Sequence, residues 1–386
     1  MRTYLNIFCL LFLLSSCQER SSDELTVIDV KNGKSAEILL SEYFSSVEYI
    51  PLESKKETML SPLAKFFVSE KEIIVIDKEI LLFDKKTGKF KGTVSRQGQG
   101  PEEYSMLFRA SYYDISNSVL ASKGNQWIEI NCETGQTKLV KKPDLSDMMR
   151  FSANDEKNAE FSMFMDPLMY STKLNDDLYI GYVNNADGKN PMKLVYFDAT
   201  GKIQLVIPNY LTFEDNDATM IFYAPIFDVS EDRTLFKEAC NDTVFVLAED
   251  KIMPVYLFDM GGKGLAYSEQ DNEEKMANAM MIKMMYESAN YLFFQYDYLT
   301  NKFVGVMDKS TAQVKLAKDG FANDLHDFLP LLPQYQNMQG EVISVIPAEK
   351  IIEFQENTNK GKHSALAHLD NVQEDDNPVI AILVPR

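Results

Sequence analysis

Short apolar runs separated by polar turns recur along the chain, and the most regular lie between Ile73 and Val94. Ile73-Ile74-Val75-Ile76-Asp77 and Ile80-Leu81-Leu82-Phe83-Asp84 are apolar up to their last residue, β-branched at first and Leu/Phe later. Runs of that length and make-up predict strands buried on both faces. Thr87-Gly88 supplies a tight turn, and Phe90-Lys91-Gly92-Thr93-Val94 then alternates apolar with polar, as a half-buried outer strand does. A meander this small cannot cover both of its faces alone, so it predicts neighbours of its own kind.

Weaker copies follow. Gln126 to Gln136, Lys193 to Ile207, Asp242 to Phe258 and Lys302 to Thr311 each repeat strand, polar turn, and the start of a next strand. The turns at Gly88, Gly135, Gly201, Asp250 and Thr311 are about 45 to 65 residues apart, the length of one four-stranded propeller blade. Two strands are left over, Val47 to Leu52 beside Tyr43-Phe44, and Pro378 to Val384. Pairing them in one blade gives a sixth and leaves the ring without exposed ends. The expected fold is all-β: a six-bladed β-propeller over residues 37–386 with short helical insertions, closed by its N- and C-terminal strands. One insertion is expected from Asn272 to Tyr286, where Met276, Met280, Met281, Met284 and Met285 fall on one helical face suited to filling gaps against the ring. Pro347 to Glu356 and Ser364 to Val372 read as two more.

The first residues change the picture of location. Arg2 precedes an apolar run from Leu5 to Leu14, too short to span a bilayer, and Leu14-Ser15-Ser16-Cys17 follows. That order is similar to a bacterial lipobox, so residues 1–16 read as a lipoprotein signal peptide, Cys17 as the lipidated residue and 17–36 as an acidic tether. Several acyl chains hold such a protein in the cell envelope, with the outer membrane as the expected site, because each buried methylene contributes about 0.8 kcal/mol. The formal net charge of −19 argues against nucleic acid as a partner, since that binding draws on Lys and Arg neutralising phosphates. Beyond the leader only Cys132 and Cys240 remain, and two small buried thiols are expected ahead of a bridge.

Tyr49-Ile50-Pro51-Leu52-Glu53, the Ile73 to Gly88 strand pair, Gly98-Gln99-Gly100-Pro101-Glu102-Glu103-Tyr104, Asn241 to Phe245, Asn323-Asp324 and Asp375 to Ile380 together resemble the six-bladed β-propeller lipoproteins of Bacteroides-type bacteria. The resemblance covers nearly the whole mature chain and implies the same fold and an exported, lipid-anchored location. It implies no defined activity. One position departs: the family carries Gly after the Pro, and this chain has Glu102, which a left-handed backbone would strain.

The stretch Arg96 to Tyr104 admits two roles. As a latch between an outer strand and the next inner strand, Gly98 and Gly100 turn the backbone, Pro101 fixes φ and Glu103 pairs with Arg96. As a ligand-binding loop at the channel mouth, Arg96, Gln97 and Gln99 hydrogen-bond a carboxylate or a sugar hydroxyl, and Tyr104 stacks on a pyranose ring. Catalytic signatures are missing: the three histidines, His326, His363 and His368, sit in no zinc spacing, and neither a nucleophile elbow nor a phosphate loop occurs. No metal residues are assigned and no cofactor is expected, although Ca²⁺ in the channel needs only carbonyls and scattered carboxylates. The expected function is a binding or interaction module for a glycan, peptide or envelope protein. The alternative is an extracellular lyase or hydrolase with a metal-assisted channel site.

Overall fold

One turn design recurs around the molecule. In the computed structural model, which describes residues 25–386 apart from 147, 149–167, 169, 186–187, 189, 214–223, 231, 271 and 359–363, Asp84 Oδ1 accepts from the Thr87 amide at 2.9 Å and its hydroxyl at 2.7 Å. Asn131 does the same for Thr134, Asp198 for Thr200 and Asp308 for Ser310. A short acceptor side chain thereby holds the turn in place of backbone. The chain then leaves through the left-handed region at Gly88, Gly135 and Gly201, with φ of +68°, +68° and +79°.

Each such turn joins the third and fourth strands of a four-stranded antiparallel sheet, and six sheets make the ring. Blade one contains Lys65–Val68, Glu72–Ile76, Ile80–Asp84 and Phe90–Thr93, from the axis outward. Blade two contains Met106–Tyr113, Ser118–Lys123, Gln126–Asn131 and Thr137–Lys141. Blade three runs Tyr170–Lys173, Tyr179–Tyr182, Met192–Phe197 and Ile203–Pro208, and blade four Ile226–Val229, Thr234–Lys237, Thr243–Leu247 and Ile252–Asp259. Blade five runs Met281–Glu287, Tyr291–Tyr298, Asn301–Asp308 and Val314–Lys318. Blade six takes Pro333–Gln336, Val342–Ile346 and Val379–Pro385 from the end of the chain and Phe44–Pro51 from its beginning. The expected closure is therefore present: Val379 pairs with Pro51, Ile380 with Ile50 and Ala381 with Tyr49.

The core is divided among the seams between blades. Ile74 and Ile128 meet between blades one and two, Trp127 and Phe197 between two and three, and Tyr196 and Phe236 between three and four. Phe258 and Phe294 join four to five, Phe293 and Val342 five to six, and Ile73 and Ile380 six to one. Central strands are covered on both faces, which is why runs such as Ile73 to Ile76 and Ile80 to Phe83 are apolar throughout.

Two expectations are corrected. The methionine stripe is a helix only over Glu273–Asn278, where the Asn272 side chain caps the Lys275 amide, and Met281–Glu287 is the inner strand of blade five. A register shift between Ile282 and Met284 puts Ile282 and Met285 in the same seam, and that spacing of three imitates a helix. The tether expected through residue 36 is also shorter. Thr26–Asp29 adds in parallel to the outer strand of blade four, and Lys34–Ser35 to that of blade five. The two later insertions are a helix over Ala348–Thr358 and a 3-10 turn over Ser364–Leu369. Among the described residues no helix is long and apolar enough to cross a membrane. The leader and Cys17 lie outside the described residues.

Candidate functional site

The loop from Arg96 to Tyr104 joins the outer strand of blade one to the inner strand of blade two and closes on itself. Glu103 accepts from Arg96 Nε at 2.6 Å and from the Gly100 amide at 2.7 Å. Lys123 donates to the Gly100 and Glu103 carbonyl oxygens at 2.5 and 2.6 Å, which fastens the loop to blade two. The two glycines make room rather than supply a turn: neither has positive φ, and a Cβ on Gly98 would stand 1.9 Å from Glu103 Oε2. Glu102 is not left-handed either, so a side chain at that position carries no backbone strain. Tyr104 is 1 % exposed and packs in the seam between blades one and two, so it offers no stacking face to a ligand. Gln97 donates to the Ser105 carbonyl at 2.9 Å, and Gln99 is exposed.

A cavity of about 310 Å³ lies on the propeller axis instead, and all six inner strands line it. None of the residues from 96 to 104 does. Phe67, Tyr112 and Tyr335 from blades one, two and six form an aromatic cluster with centroids 4.9 to 6.3 Å apart on one side of it. Asp114, just past the inner strand of blade two, accepts from the Met338 amide of blade six at 2.5 Å. That bond spans blade one and ties two non-adjacent blades together.

Two carboxyl groups line this space, Asp228 buried and Asp114 half-buried. Burial pushes the Asp228 carboxyl up to about 7, helped by the charge of Glu287 and opposed by the Glu287 amide and by Arg233. That amide donates to Asp228 Oδ2 at 2.9 Å. Burial also raises Asp114, against the Met338 amide and the nearby hydroxyls of Tyr335 and Tyr112. The Tyr286 hydroxyl is buried and completes no hydrogen bond, Gln336 Oε1 accepts none, and the buried Tyr335 hydroxyl lies beside Asp114 without a bond of full geometry.

Three cations close by, Arg233, Lys309 and Lys173, are already engaged. Arg233 holds Glu287 with two bonds of 2.7 and 2.6 Å, joined by Tyr256 at 2.5 Å and Lys309 at 2.9 Å. Burial works to raise Glu287, but these four donors outweigh it and hold it below the usual carboxylate range. Lys173 pairs with Glu129 at 3.0 Å, where hydrogen bonds from Ser118 and Tyr179 likewise overcome burial. No three His, Cys, Asp or Glu side chains converge to hold a metal among the described residues. Cys132 and Cys240 are both free and buried, with thiols pushed up to about 12 by desolvation.

A family model for a domain of unknown function, DUF4934, matches residues 25–384. The chain belongs to that family. Among solved structures, this DUF4934 propeller is similar to BF0058 of Bacteroides fragilis NCTC 9343, described as exported, with a TM-score of 0.65 and 13 % identity over 94 % of this chain and all of that one. At that identity the likeness shows the fold. U3-55K follows at a TM-score of 0.44 and 9 % identity over 91 % of this chain and all of its own, and a manganese-bound oligogalacturonate lyase at 0.37 and 10 % over 92 % and 98 %. Those two carry no argument. No curated protein matches.

The axial residues of the DUF4934 chain escape a reading of sequence periodicity because the inner strands are its least regular. Ile226-Phe227-Asp228-Val229 is four residues long, and its acid in an apolar run is the one signal that marks the site. Asp114 sits in a short 3-10 turn and looks like any other turn acid.

Proposed function

We propose that this propeller is an exported, lipid-anchored cell-envelope protein that binds a ligand in its axial cavity, taken from a glycan, a peptide or a segment of an envelope partner. The observation that carries the reading is the cavity itself: space enclosed by all six blades, lined by aromatic rings and by buried polar groups that lack partners. Its size falls at the lower end of the about 300–1,000 Å³ usual for ligand pockets. Among the described residues the two carboxyl groups have no third metal-ligating side chain beside them, which favours binding over metal-assisted lysis or hydrolysis. Export and anchoring rest on the apolar run Leu5 to Leu14 and on Cys17 after two small residues.

Two experiments test the proposal. Thermal-shift measurements on the mature protein against envelope glycans, short peptides and divalent ions should give a stabilising ligand whose effect is lost on Gln334→Trp, which fills the cavity from an exposed lining position. Stabilisation that survives the block refutes the axial site. Separately, Cys17→Ala should move the protein from the membrane to the soluble fraction, and retention in the membrane refutes the lipid anchor.

A further inference from the structure

We infer that the group this cavity receives is a protonated amine, held by the unengaged oxygen of Asp228 beside the phenols of Tyr286 and Tyr335. The inference rests on the axial cavity being a binding site and adds the chemistry of what binds there.

Asp228 is 7 % exposed, and only one of its oxygens, the one facing the Glu287 amide, has a hydrogen-bond partner among the described residues. The charged and titratable groups around it leave that second oxygen uncompensated. From its own blade comes Arg233, taken by Glu287; from blade five come Glu287 and Tyr286, with Lys309 also on Glu287. Blade six contributes Tyr335, and the Lys173 ammonium of blade three is held by Glu129. Lys283 lines the same cavity with an exposed side chain.

A buried carboxylate without a cation is costly, and it ionises readily only when one arrives. The other unengaged atoms are the Tyr286 phenol oxygen and an amide oxygen, Gln336 Oε1, with the Tyr335 phenol beside Asp114. An ammonium suits such a lining because it offers three donors and needs no donor in return, while aromatic faces add cation–π attraction. When the amine binds, the proton carried by Asp228 passes to solvent and the carboxylate pairs with the ligand's charge.

Putrescine and 1,4-butanediol, equal in length and different in charge, are the probes, with glucose as a neutral sugar. Calorimetry and thermal shift on the intact mature protein should show putrescine binding at pH 8, about tenfold weaker binding at pH 5.5, and no effect of the diol. At pH 7 the binding heat should differ between phosphate and Tris, reporting the released proton. Asp228→Asn should lose about tenfold or more in affinity with its fold intact by circular dichroism, and Tyr286→Phe should weaken binding without removing the buffer dependence. Absence of putrescine binding, equal binding of the diol, or unchanged affinity in Asp228→Asn overturns the inference. Glucose binding that is lost on Gln334→Trp, without putrescine binding, overturns the amine while leaving the axial site standing.

Discussion

Gly88 lies against Pro51 across the seam between blades one and six, so closely that a Cβ on Gly88 would stand 1.9 Å from the Pro51 carbonyl oxygen. Gly135 has the same φ of +68°, but its nearest neighbour to such a Cβ is 4.0 Å away. The two turns separate backbone strain from steric exclusion. Gly135→Ala should cost about 1–2 kcal/mol, the left-handed penalty alone. Gly88→Ala should cost clearly more or prevent folding, because backbone must move as well. Urea denaturation of both variants decides it, and equal costs would show that the seam yields.

Removal of the C-terminal strand tests closure directly. Val379–Pro385 is the third strand of blade six, bonded on one side to Val342–Ile346 and on the other to Phe44–Pro51. A chain lacking Pro378 to Arg386 should lose its single cooperative melting transition, since the deletion opens a blade at its centre. A truncated protein that melts like the full chain would contradict a closed ring.

The loop before blade two allows a side-chain comparison. Glu103→Ala removes the acceptor for Arg96 and for the Gly100 amide, and should lower the melting temperature by several degrees. Gln99→Ala removes an exposed side chain and should leave it unchanged. Loss of ligand binding in Gln99→Ala, at wild-type stability, would return this loop to the binding surface.

Asp228 gives stability a pH dependence of definite sign. Its pKa is raised in the folded protein to about 7 and is about 3.9 when unfolded, so the folded state binds more protons between those values. Stability therefore falls as pH rises from about 4 to 7, by about 4 kcal/mol at most. Asp228→Asn keeps an acceptor for the Glu287 amide and removes this slope. The variant should gain on the wild type between pH 5 and 8 in urea titrations; a constant difference would mean that Asp228 is already ionised at pH 5.

The fold was legible because its central strands are covered on both sides. Ile73 to Ile76 and Ile80 to Phe83 can only be unbroken apolar runs, and the Asp-to-Thr turns that follow mark one blade each. The site was not legible for the opposite reason. Inner strands face neighbouring blades with their side chains and the axis with one edge, so Tyr170–Lys173 and Ile226–Val229 mix polar and apolar residues without a period. The conspicuous glycines at 98 and 100 drew attention to a loop whose chemistry is turned inward on Glu103. Asp228, which the cavity depends on, carries no motif, and only the meeting of six blades gives it a setting.

The strand that completes blade six is also the last of the ring's strands to be synthesised. Until Val379–Pro385 emerges, Phe44–Pro51 has no partner for its edge and the circle cannot shut, however early blades one to five are synthesised. Contacts between opposite ends of a chain form slowly, because a long loop must close before any of them is gained. Blades one to five can therefore order only as an open arc, and the pairing that turns the arc into a ring comes after the rest of its strands have been made.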